Sequence, residues 1–149
     1  MKQQSRKYWC CPAAVQNALR ALGRKYVTQR NIANLCGTTP EGTDTADAMR
    51  GLAALGCTYE YYESDKHLPS FLWLRKAIRG GKPVVMAVDN STHWVCCYGA
   101  LGASFNVFDS SRWKHLSREH HVITLPTADL MARWKDRGRP SYVAISVDP

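Results

Sequence analysis

At 149 residues, with 45% apolar and 21% charged residues, the chain has the size and composition of one soluble globular domain with a single core, spanning residues 1–149. A formal net charge of +8 admits an acidic partner. The basic residues are scattered along the chain from Lys2 to Arg139 without a stripe or a nucleic-acid motif, so nucleic acid is not the expected partner.

No apolar run reaches membrane-spanning length, and no apolar segment follows the basic residues near the N-terminus. The chain therefore reads as cytoplasmic, with signal-independent export left open. In that compartment the six cysteines are expected to be free thiols. Cys10–Cys11 and Cys96–Cys97 are adjacent pairs, without the C-x-x-C spacing of a zinc or redox site.

In chain order, Pro12 suits the first turn of a helix, Val15, Ala18, Leu19 and Leu22 recur at helical spacing, and Gly23 ends the run. Thr28 caps a second helix that stops at Gly37. A third begins near Thr43 or Asp44, carries Ala48, Leu52 and Leu55, and ends at Gly56. Residues 57–63, CTYEYYE, are rich in strand formers, and residues 68–81 form a helix with a glycine stop. PVVMAVD (83–89), THWVCCYGA (92–100) and SFNVFDS (104–110) read as strands, with a turn about Gly102. HHVITLP is a short strand, TADLMARWKDRG a helix and SYVAISVD a closing strand. Helices lead and strands follow, which predicts an α+β domain with N-terminal helices packed on a C-terminal antiparallel sheet.

Cys10 falls at the start of the first helix, where unpaired amides and the helix dipole lower a thiol's pKa. A nucleophilic cysteine needs a base and a group to orient that base. His93 opens a strand, and a hairpin about Gly102 places Asp109 opposite or diagonal to it, within side-chain reach. Taken singly, each residue has an ordinary explanation: a buried small hydrophobe, a structural histidine, a turn aspartate, a terminal Gln4. Cys36, Cys57 and one of Cys96 and Cys97, which point to opposite faces, are expected to pack the core. His67, His115, His120 and His121 fall in loops or at strand edges, with His115 an alternative base. A metal site from Cys10, Cys11, His93 and a strand cysteine is the lesser reading, and no cofactor is expected.

Order and spacing together point further. Gln4, then SRKYW, then Cys10 and CPA; then KPVVMAVDNSTHWVCCYG; then FNVFDSS; then LMARWK and SYVAISV: across nearly the whole chain this series resembles the papain-like bacteriocin-processing peptidases, the double-glycine leader peptidase family, and their free-standing relatives. The resemblance implies a papain-like fold and a cysteine peptidase acting on a protein or peptide substrate. It implies Cys10 as nucleophile, His93 as general base and acid, Asp109 as the residue orienting His93, and Gln4 as an oxyanion donor beside the Cys10 amide. Trp9, Trp94 and the Thr38–Ala48 stretch become candidates to line the substrate cleft. Two departures stand out: Cys11 occupies the place of a glycine, and Trp9 that of an acidic residue. The alternatives are a transamidase or deamidase using the same thioester, and a non-catalytic peptide-binding domain of this fold.

Overall fold

A computed structural model describes residues 5–110 and 122–149. The elements are α1 (Cys10–Ala21), α2 (Gln29–Cys36), α3 (Thr45–Ala54), β1 (Tyr59–Ser64), α4 (His67–Arg79), β2 (Val84–Val88), β3 (His93–Leu101), β4 (Ser104–Phe108), β5 (Val122–Pro126), α5 (Thr127–Trp134) and β6 (Tyr142–Val147). Local chemistry sets several boundaries. The Asn31 amide donates to Thr28 Oγ1 at 3.2 Å and the Asp47 amide to Asp44 Oδ1 at 2.8 Å, so each side chain satisfies an amide that the helix cannot. Gly37 ends α2 at φ +63°, a backbone conformation that an L side chain resists.

The six strands form one antiparallel sheet in the order β1-β6-β2-β3-β4-β5. Both faces of its centre are covered, and alternate strand residues divide into two cores. One face carries Val85, Ala87, Trp94, Cys96, Phe108 and Ile145 against Val15, Ala18, Ile32 and Leu52 of α1, α2 and α3. The other carries Val84, Met86, Val88, Val95, Cys97 and Val107 against Leu74, Ile78, Leu130, Met131 and Trp134 of α4 and α5. The helices thus flank the sheet on both sides rather than lying only on one. This explains why β2 is buried at every position, where a half-exposed strand would alternate. The β-rich second half also borrows β1 from the first, paired along its length with β6. No helix among the described residues is long and apolar enough to cross a membrane.

The β3–β4 hairpin is irregular. Leu101, Ala100 and Gly99 face Ser104, Phe105 and Asn106, while Cys97 and Cys96 face Val107 and Phe108, leaving Tyr98 as an extra residue in β3.

Candidate active site

The N-terminus of α1 meets the end of the sheet where β3 begins and β4 finishes. Trp9 precedes α1 without giving it a side-chain cap. The sulfur of Cys10 instead receives hydrogen bonds from the backbone amides of Trp94 and Cys11 and from the His93 side chain. Burial alone would raise the Cys10 pKa, but these donors and the His93 charge outweigh it and bring the thiol below its ordinary value.

His93 is the first residue of β3, with a side chain 15% exposed. Its Nε2 lies 2.7 Å from Asp109 Oδ1, so Nδ1 is the ring nitrogen left for Cys10. Burial acts to lower the His93 pKa. The Asp109 hydrogen bond, the Cys10 hydrogen bond and the charges of both partners raise it instead, to about 9. A lowered thiol beside a raised imidazole is the electrostatic signature of a thiolate–imidazolium pair.

Asp109, whose side chain is 2% exposed, follows β4 directly. Continuing the Cys96–Phe108 pairing by one residue sets it across from Val95, hence diagonal to His93. Its second oxygen, Oδ2, accepts from Arg133 Nη2 at 3.0 Å. Arg133 also grips Asp89 at the end of β2, with Nε to Oδ1 at 2.9 Å and Nη2 to Oδ2 at 2.7 Å. The sequence offers little sign of this second layer, because Arg133 is one of 20 basic residues in an unpatterned distribution.

The remaining candidates divide. Gln4 and His115 lie outside the described residues, as do His120 and His121. Trp94 is buried, and its indole Nε1 donates to Thr43 O at 3.0 Å, tying the loop before α3 to the sheet. Trp9 stacks edge-on with Tyr8, lies under the Arg6 guanidinium at 5.4 Å, and lines a cavity of about 450 Å³ with Gln16, Tyr26, Gln29 and Arg30. Cys11 is wholly buried beneath α1, hydrogen-bonded to Cys36 and Thr43, and its thiol is pushed well up by the Cys36 contact and by burial. His67 sits away from the site, with Nδ1 3.1 Å from Tyr142 Oη. All six cysteines are free, and no cluster of three metal-ligating side chains is found among the described residues.

The model of the Peptidase_C39 like family matches residues 1–142. In three dimensions the chain is similar to the peptidase domain of Streptococcus ComA, a bi-functional ABC transporter involved in a quorum-sensing pathway, with a TM-score of 0.74 at 15% identity over 99% of this chain and 96% of that one. A double-glycine motif protease from an AMS/PCAT transporter, solved with its leader peptide, matches with a TM-score of 0.73 at 15% identity over 100% and 90%. A C39-like peptidase from Bacillus anthracis matches with a TM-score of 0.72 at 14% identity over 99% and 92%. A search of curated proteins finds no match. The architecture is the papain-like fold of these peptidase domains.

Proposed function

The chain belongs to the Peptidase_C39 like family, and from that premise we propose that it hydrolyses a peptide bond with Cys10 as nucleophile, His93 as proton carrier and Asp109 as the group that orients His93. The observation that carries this reading is the continuous contact from the Cys10 sulfur through the His93 ring to the Asp109 carboxylate. The Cys10 thiolate attacks the carbonyl carbon, and the oxygen gains negative charge. The Cys10 backbone N–H is one donor for that charge. Gln4, separated from Cys10 by five residues as in the spacing of the family, is the other; losing one such donor typically costs about 10²–10³ in rate. As the C–N bond breaks, His93 gives its proton to the leaving amine. It then takes a proton from water, whose oxygen attacks the thioester; the C–S bond breaks and Cys10 is restored.

The similar double-glycine protease makes a peptide bearing that motif the first substrate to try. Cys10→Ser is expected to reduce its hydrolysis by about 10⁴-fold or more. Iodoacetamide at neutral pH is expected to alkylate Cys10 ahead of the other thiols. If Cys10 shows no preference for the reagent and Cys10→Ser cleaves as well as the unaltered chain, the proposal is wrong.

A further inference from the structure

Three consecutive non-glycine residues, Asp89, Asn90 and Ser91, have φ of +55°, +58° and +57° in the turn that delivers His93 to the site. Such a run persists only where its surroundings hold it. Here the surroundings are the C-terminal end of α5 and the residues after it. The Asp89 amide donates to Arg133 O at 2.8 Å, the Arg137 amide donates to Asn90 Oδ1 at 3.2 Å, and Ser91 Oγ donates to Asp136 Oδ2 at 2.5 Å. Thr92 Oγ1 closes the turn on Asp89 O at 2.7 Å. The helix end is itself fixed, since buried Trp134 donates its indole N–H to Val143 O at 2.9 Å.

One side chain joins this bracket to the chemistry. Arg133 Nη2 contacts both Asp89 Oδ2 and Asp109 Oδ2, while Nε holds the other Asp89 oxygen. We propose that Arg133 is a positioning residue of the site, fixing through one guanidinium both the carboxylate that faces His93 and the turn that carries it. The proposal rests on the reading of Cys10, His93 and Asp109 as the reactive set.

The physical case has two parts. A carboxylate held at one oxygen can rotate about its bond to the chain. Asp109 is held at both, by His93 of β3 on Oδ1 and by Arg133 of α5 on Oδ2, which fixes its plane. The fork of the guanidinium is also needed: a lysine ammonium is a point charge and cannot hold one carboxylate at two oxygens in a fixed plane while reaching a second. The charged groups facing this network are Cys10 and Asp109 around His93, and Asp89 and Asp109 around Arg133.

The test uses Arg133→Gln, Arg133→Lys and Asp89→Asn in the full chain. It reads the alkylation rate of Cys10 by iodoacetamide at pH 7 and the NMR titration of the His93 ring. Arg133→Gln is expected to slow alkylation about tenfold, the low end for a group that orients a reacting side chain from behind. It is also expected to move the His93 midpoint down from about 9 toward 6.5 as Asp109 turns away. Arg133→Lys, with the charge but not the fork, is expected to recover less than half of the loss. Should Arg133→Gln fail to fold, Asp89→Asn replaces it, with smaller shifts in the same directions. A folded Arg133→Gln, or in its place Asp89→Asn, with the parent rate and midpoint overturns the positioning role while leaving the peptidase reading intact. Parent protein whose Cys10 is no more reactive than an ordinary thiol overturns the peptidase reading itself.

Discussion

Cys10 and Cys11 share a peptide bond but not an environment. Cys10 lies half-buried at the N-terminus of α1 among backbone N–H donors and the His93 ring; Cys11 faces the core beside Cys36 and Thr43. The smaller glycine expected at this position is unnecessary because Cys36 and Thr43 make a pocket that a thiol fills. The Cys10–His93 pair also sets a pH profile. In the mechanism proposed above, hydrolysis requires the thiolate and the imidazolium together. The rate should rise as pH climbs through the lowered Cys10 pKa, below 9.0, and fall as His93 loses its proton at about 9. Asp109→Asn should draw the alkaline limb down toward 6.5, because the carboxylate that favours the imidazolium is gone. A limb that stays near 9 in this variant would show that Asp109 does not govern His93.

The β3–β4 hairpin shows how an element sets the face on which a residue lands. From the turn, Leu101 faces Ser104 and Gly99 faces Asn106. Were that ladder regular, Asp109 would fall across from Cys96, on the α1 side of the sheet. The extra residue, Tyr98, shifts the register so that Asp109 falls across from Val95 and shares the face of His93. Deleting Tyr98 would let the two correctly paired segments join directly. Cys10 should keep its alkylation rate within about threefold, and the loss should appear in stability, about 1–3 kcal/mol for a half-buried aromatic that packs on the core. A variant that folds with an unreactive Cys10 would refute this account of the bulge. Capped helix starts at Thr28 and Asp44 and glycine stops at Gly37 and Gly56 are written locally, so they can be read from the sequence. The bulge cannot, because VCCYGAL lacks an alternation that a slip would break. Helical periodicity likewise says that α4 and α5 bury one face, not which side of the sheet they cover. Arg133 escaped for the same reason: its partners Asp89 and Asp109 are 44 and 24 residues away, and only the layer containing α5 brings them together.

At the scale of the molecule, the site is a meeting of layers. Cys10 comes from the helices on one face, Arg133 from the helices on the other, and His93 and Asp109 from the sheet between them. On the proposed reading, Cys10 is activated only where the three layers meet. In a urea titration the enhanced alkylation of Cys10 should therefore vanish at or before the first loss of helical circular dichroism. Enhancement that outlasts either core would mean that one layer suffices. The other five cysteines are buried in the folded chain, and unfolding exposes them all. A brief pulse of iodoacetamide then writes conformation into mass: one adduct on a molecule whose two cores are closed, six on one whose cores are open. The arrangement that would serve catalysis also lets each copy of the chain be counted as folded or unfolded within a mixture.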